Sequence, residues 1–383
     1  MRRIKSDRII IGDRIISGYV YYEDGIIREV SDRELSVECE YDATGRYVSA
    51  GFIDIHTHGG GGFAFEENTD SVVAGCNFHL AHGTTSISPT VSAAYISDMR
   101  RSVECISRAM SDERLLSNII GAHLEGPYLS LAQTGAQGAE FITPPVKEDY
   151  EALVRDFGAA IARWSYAPEN DEGCEFVRFM KEHGIVTSAG HTNATYADIK
   201  PAFDEGCRLI THLYSCTSTV TRNHGFRSLG VIESAFLLDD MYVEIIADGK
   251  HLPPELIRMI YKIKGSDRVA LVTDSLALAG TDVKAGRMQA TDFIIEDGVC
   301  KLLDRSAFAG SIATADRLVR VLVQDVGVFV TEAVKMITET PAKIMSLDRK
   351  GSLAPGMDAD IVIFDDAIRV EKVIVGGKLV IEN

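Results

Sequence analysis

The middle of the chain alternates short apolar segments with helix-like stretches, and this rhythm limits the fold more than any other feature. Buried-strand candidates fall at 52–57, 85–91, 119–124, 161–167, 185–189, 209–213, 243–247 and 269–273, with helical stretches such as 71–82, 96–110, 171–183 and 253–262 between them. Strands that are apolar on both faces and joined by helical crossovers predict a parallel sheet covered by helices on both sides. Their number and length favour a closed (β/α)8 TIM barrel over an open doubly wound sheet.

The two ends read differently. Segments 8–11, 15–22 and 26–30 are rich in Ile, Val and Tyr and are separated by Gly12-Asp13 and Asp24-Gly25 turns. After Gly351 the pattern returns, with apolar runs around Gly376-Gly377. The expected organisation is therefore α/β. It comprises a small β-sandwich domain built from residues 1–50 and 346–383, and a barrel over 51–345.

A net charge of −17 argues against nucleic acid or an anionic membrane as partner. No apolar run approaches the roughly 20 residues of a spanning helix. The basic N-terminus is broken by Asp7, Arg8, Asp13 and Arg14 and lacks a small-residue cleavage site. Seven scattered cysteines without a CxxC pair suit reduced thiols. A cytoplasmic location is the simplest expectation.

The polar residues inside the apolar strands carry the chemistry. His56 and His58 close the first strand one residue apart, so both imidazoles face the same side. HLEGP sets Glu125 at the end of the third strand, AGHTN sets His191 at the fifth, THLYS sets His212 at the sixth and LVTDS sets Asp274 at the eighth. A lone HxH is weak evidence. Six such residues at strand ends converge on the C-terminal rim, where barrel enzymes place their chemistry. Imidazole and carboxylate ligands suit a divalent metal, zinc first, with iron, cobalt or manganese also accepted, and a carboxylate bridges one ion to a second.

The order HxH, Glu, His, His, Asp on a barrel flanked by a split β domain resembles the amidohydrolase superfamily. HLEGP, AGHTNATY, THLY, IADGKH, LVTDS and AGS, in that order from about Tyr47 onward, resemble its N-acetylglucosamine-6-phosphate deacetylase family. There Glu125 stands where many superfamily members carry a carboxylated lysine. The resemblance implies one or two metal ions held by His56, His58, Glu125, His191 and His212. It also implies hydrolysis of the N-acetyl amide of an amino-sugar phosphate, most simply N-acetylglucosamine 6-phosphate, to acetate and the free amine. A divalent ion lowers the pKa of its water from 15.7 towards about 7. Asp274 is placed to take the water's proton and return it to the departing amine. A homodimer is implied as well.

The resemblance further implies that Ala136 and Gln137 lie near the acetyl and hydroxyl groups, that Asp248 and His251 meet the sugar, and that Phe308, Ala309 and Gly310 cover the N-acetyl group. Gly310 equally reads as the turn before a helix starting at Ser311. At the phosphate end Ser215 and Cys216 stand where the family carries Asn-Ala, and Arg227 is the best match to its arginine. Arg is the natural bidentate phosphate donor, so Ser215, Thr217, Ser218, Thr219, Arg222 and Arg227 read either as an anion site or as a polar surface loop. The alternatives are an amidohydrolase for another N-acetylated sugar or an N-acyl amino acid, and a non-catalytic relative.

Overall fold

The computed structural model describes residues 1–288 and 291–383. Its centre is a nearly closed barrel of eight parallel strand positions. In barrel order they are Phe52–Thr57, Thr84–Val91, a third strand in two pieces (Asn118–Ile119 and Ala122–Glu125), Ile161–Tyr166, Val186–Ala189, Leu209–Ile210, Tyr242–Ile245 and Val269–Leu271. Neighbours pair in parallel register throughout, as in Ser165↔Ser188 and Val243↔Val269. Between the last and first strands the ladder gives way to individual bonds. The Asp274 N–H donates to the His56 carbonyl at 2.9 Å, and the Thr273 hydroxyl donates to the Asp54 carboxylate at 2.5 Å.

The expected helices appear as Thr69–Leu80, Ile96–Ala109, Glu175–Glu182 and Pro254–Lys264. Ile96–Ala109 buries Met99, Val103 and Ile106, three positions on one face of a 3.6-residue helix. The segment expected to be helical from residue 171 becomes helical only at Glu175, because Gly173 and Cys174 take left-handed backbone (φ 66° and 57°). The Asp171 carboxylate then accepts from the Phe176 and Val177 N–H groups inside the first turn.

Strands from both chain ends share one sheet. Its order is Lys378–Glu382, Val370–Val375, Ile361–Phe364, Tyr47–Ala50, Arg2–Ile11, Arg14–Glu23, Ile26–Ser31, with Glu38–Asp42 also paired to Arg2–Ile11. Ile361↔Ala50 is an antiparallel pair, so the C-terminal strands are fastened to the strand that runs into the barrel at Phe52. Ile4, Ile9, Val20, Ile27, Val48, Ile361 and Ile374 form the core of this unit.

Two further elements were not legible as periodic patterns. Thr221–Asn223 and Phe226–Ser228 make an exposed hairpin, and Ala285–Met288, Thr291–Glu296 and Val299–Leu302 make a three-stranded antiparallel sheet after the eighth barrel strand. The helix expected at Ser311 starts at Ala315 instead. Ser311 is held by the barrel: its hydroxyl donates to the Thr273 carbonyl and its N–H to the Asp274 carbonyl. Among the described residues no helix is long and apolar enough to cross a membrane, and Cys76, Cys105, Cys174, Cys207, Cys216 and Cys300 are free thiols. The side chain of Cys39 lies outside those described.

An aromatic cluster supports the third and fourth strands. Trp164 stacks on Tyr128 at 5.5 Å between ring centroids, and Phe176 meets it edge-on at 5.4 Å. The Trp164 indole N–H donates to the Gly126 carbonyl at 2.7 Å, which ties the cluster to the residue after Glu125. Trp164→Ala is expected to lower unfolding stability by about 3–5 kcal/mol, read as a shift in the urea midpoint. A loss below about 1 kcal/mol would show that the cavity collapses and that the cluster is not a unit.

Candidate metal centre and substrate cavity

The strand ends bring the six rim residues together. Glu125 is the last residue of the third strand, and Gly126 beyond it takes φ 109° in space where a Cβ would lie 2.8 Å from that of Ala93. The turn therefore requires glycine. His191, His212 and Asp274 sit just past their strands at positive φ (46°, 26° and 47°). This backbone is uncommon for residues with a Cβ and is concentrated at functional sites. Each is pinned: the His191 carbonyl accepts from Ser130 N–H at 2.8 Å, the His212 carbonyl accepts from Ser215 N–H at 2.9 Å, and Asp274 is held as described above.

Glu125 lies at the centre. Its Oε1 is 3.4 Å from His56 Nε2, 3.3 Å from His191 Nε2 and 3.0 Å from His212 Nε2, while its Oε2 is 3.3 Å from His58 Nε2. Two three-residue groups suited to a cation result, His56–His58–Glu125 and Glu125–His191–His212, sharing the one carboxylate. Asp274 Oδ1 stands 3.5 Å from His56 Nε2 and 3.3 Å from His58 Nε2. His56 Nε2 is buried and makes no hydrogen bond. A buried polar atom without a partner is costly; a cation between these imidazoles and carboxylates would supply one, and the donor set fits zinc or a similar ion. The far nitrogens are oriented by other groups: His58 Nδ1 by Ser92 Oγ at 3.1 Å, His191 Nδ1 by the Gln133 carbonyl at 3.0 Å and His212 Nδ1 by the Ser215 carbonyl at 3.2 Å.

The electrostatics match a cation site. Burial opposes ionisation of Glu125, but the neighbouring His56, His191 and His212 outweigh it and hold the carboxylate well below its usual range. Asp274 is held down against burial by His56 and His58. Burial disfavours protonated His58, yet hydrogen bonds to Asp274 and Glu125 prevail and lift it to about 10. Without a cation, His58 and His191, both raised by their acidic neighbours, thus carry compensating positive charge as protons, and a cation must displace them. Titrating a divalent ion into cation-free protein at pH 7 in weak buffer should release on the order of one proton per ion, followed with a pH indicator. Binding without proton release would contradict this electrostatic picture.

A cavity of about 360 Å³ opens over these residues. Ala136, Gln137, Ser215, Cys216, His251, Phe308, Ala309 and Gly310 all line it, beside His58, Glu125, His191, His212 and Asp274. Gln137 is turned towards the acid: its Nε2 donates to Glu125 Oε2 at 2.8 Å and its Oε1 accepts from Ala93 N–H at 2.9 Å. In the same loop Gly135 takes φ 59°, and a Cβ there would lie 2.5 Å from Cys216 Sγ and 3.3 Å from His191 Cε1. Asp248 is buried behind His251: its Oδ2 lies 2.9 Å from His251 Nδ1, and its Oδ1 accepts from the Lys250 and His251 N–H groups at 2.8 Å. His251 and Phe308 meet edge-on at 5.0 Å. Arg227 is not brought to the cavity of this single chain. It lies on the exposed hairpin, opposite Arg222, with its guanidinium on the Gly225 carbonyl.

Some neighbours were missed from sequence. Ser92 and the Gln133 carbonyl gave no signal, being an ordinary loop serine and a main-chain atom. Arg163 and Glu244 did give one, as charges inside otherwise apolar strands, and both lie beneath the histidines.

A barrel with histidines and carboxylates at its C-terminal rim defines a class, and a family model, Amidohydrolase family, matches residues 47–380. The chain belongs to the amidohydrolase family. Within it, the chain is similar over nearly its whole length to N-acetyl amino-sugar phosphate deacetylases. N-acetylglucosamine-6-phosphate deacetylase of Bacillus subtilis (strain 168) is 31% identical over 387 residues, covering 98% of this chain and 96% of that protein. N-acetylgalactosamine-6-phosphate deacetylase of Shewanella sp. (strain ANA-3) is 29% identical over 348 residues, covering 88% and 84%. A solved structure of a point mutant of N-acetyl-D-glucosamine-6-phosphate deacetylase from Mycobacterium smegmatis in complex with N-acetyl-D-glucosamine-6-phosphate superposes with a TM-score of 0.92 at 26% identity, covering 99% of this chain and 98% of that one.

Proposed function

We propose that this chain hydrolyses the N-acetyl amide of an amino-sugar phosphate, N-acetylglucosamine 6-phosphate first, to acetate and the free amino-sugar phosphate. The observation that carries the reading is Asp274 Oδ1 within 3.5 Å of both His56 and His58 at the floor of the cavity, beside a carboxylate shared by four imidazoles. His56, His58, Glu125, His191 and His212 would hold one or two divalent ions, zinc first. Such an ion supplies a water of lowered pKa and polarises the amide carbonyl.

The chain's own groups do the rest. Asp274 Oδ1, kept ionised, accepts the proton of the attacking water and delivers it to the amide nitrogen as the C–N bond breaks. His251 presents its free Nε2 to the sugar while Asp248 fixes Nδ1. Phe308, Ala309 and Gly310 enclose the acetyl group and limit water. Gln137 steadies Glu125 and borders the sugar.

Acetate release from a panel of phosphorylated and unphosphorylated N-acetyl sugars tests the reading. Turnover confined to unphosphorylated sugars would sink it. The galactosamine 6-phosphate counterpart is the second reading, favoured by the Shewanella relative. Elemental analysis of protein purified without added metal decides between zinc, iron, cobalt and manganese. The free thiols support a cytoplasmic setting. The exposed Phe226 on the Arg227 hairpin supports a homodimer in which that arginine serves a neighbouring cavity, and sedimentation would test the assembly.

A further inference from the structure

Beneath the rim, the barrel interior holds an ion pair with no contact to solvent. Arg163 on the fourth strand and Glu244 on the seventh are both 0% exposed. Arg163 Nη1 donates to Glu244 Oε1, and Nη2 donates to Oε2 at 2.9 Å. A buried pair of this kind is weak evidence for stability, since apolar residues of similar volume often serve as well. What it touches is more informative.

Arg163 Nη1 also donates to the Ile55 carbonyl at 3.1 Å, next to His56, and Nη2 donates to Thr211 Oγ1 at 3.0 Å, next to His212. Glu244 Oε2 lies 3.5 Å from His56 Nδ1 and accepts from the His212 N–H at 3.4 Å. The pair therefore reaches two of the rim histidines, but it meets an imidazole nitrogen at His56 alone. The other three imidazoles rest their far nitrogens on a hydroxyl or a main-chain carbonyl. His56 is also the one whose near nitrogen, Nε2, is buried without a hydrogen bond.

We propose that Arg163 and Glu244 are positioning residues: the carboxylate, held by the guanidinium, keeps the His56 proton on Nδ1 and points a basic Nε2 at the cation position of the His56–His58–Glu125 group. A carboxylate behind a ligating imidazole fixes its tautomer and raises its basicity, and removing such a partner typically costs 10- to 100-fold in metal affinity. The pair thus selectively supports the cation on the HxH side, while the Glu125–His191–His212 group depends on main-chain oxygens that the pair does not contact. This rests on the metal-site reading above.

The test is chelator-competition titration with zinc, together with the visible absorption of the cobalt-substituted protein. Glu244→Gln should weaken the HxH-side cation about 10- to 100-fold and alter the cobalt bands. The affinity at the His191–His212 side should move less than about threefold, within the context dependence of such contacts. Glu244→Gln leaves Arg163 buried beside a neutral amide and is prone to unfold. The double variant Arg163→Met/Glu244→Leu therefore accompanies it, since it should keep the fold yet show the same selective cation loss. Ser188→Ala removes an Arg163 acceptor on the side away from His56, together with hydroxyl contacts to Ser165 and Thr211, and should leave the HxH-side affinity unchanged. Equal weakening of both cations, or none in a folded variant, overturns the proposal. A wild-type chain that binds no cation at all overturns the metal-site reading instead.

Discussion

Glu125→Gln is expected to empty the proposed cation site and abolish amide hydrolysis. Glu125 Oε1 approaches three imidazoles within 3.4 Å and Oε2 approaches the fourth, so no cation position remains that keeps a carboxylate from this residue. An amide oxygen in its place is a neutral ligand and removes the negative charge that would offset a cation among the histidines. A bound ion contributes several kcal/mol to transition-state stabilisation. At about 1.4 kcal/mol per decade, kcat/KM should fall by roughly a thousandfold or more. Cation content by elemental analysis should drop below that of wild type in parallel. A Gln variant that keeps its full cation content would show that the histidines alone hold the ions, and the shared-carboxylate arrangement would have to be given up.

The second large effect is at Asp274. Asp274→Asn preserves shape and the main-chain bonds to His56 and Ser311, but it removes the group proposed to move the proton. Kcat should fall by about 10²- to 10⁴-fold, the usual share of a positioned general base, with cation content intact and KM little changed. The pH profile adds an independent readout. A base whose pKa lies below the ordinary carboxylate range stays ionised until the solution is well acidic, so wild-type activity should fade only there. That acid limb should be missing from the residual activity of the Asn variant. Undiminished kcat in the variant would overturn the proton-transfer role.

Much of the architecture was legible because its signals are local. A strand buried on both faces must be apolar, so Phe52–Thr57 and Ile161–Tyr166 stood out against the amphipathic helices between them. The rim residues were legible for the opposite reason, as histidines and acids at the ends of apolar runs. The hairpin at 221–228 and the sheet over 285–302 were not, since exposed strands carry mixed polarity and no periodic apolar face. The helix expected at Ser311 was displaced to Ala315 by hydrogen bonds from Ser311 to Thr273 and Asp274, partners almost forty residues away.

By itself the sequence determined the residue types, their order and the strand each one ends. That is enough for a parallel barrel with an imidazole and carboxylate rim, because side-chain direction along a strand follows from alternation alone. Only the tertiary structure decided that Glu125 stands between all four histidines and that Gln137 turns to that carboxylate. It also decided that Asp248 lies behind His251, that Arg227 lies outside the cavity of its own chain, and that Arg163 and Glu244 meet under His56. These are distances between strands and loops far apart in sequence. Barrel closure and the packing of side chains inside it set them, and no local pattern records that.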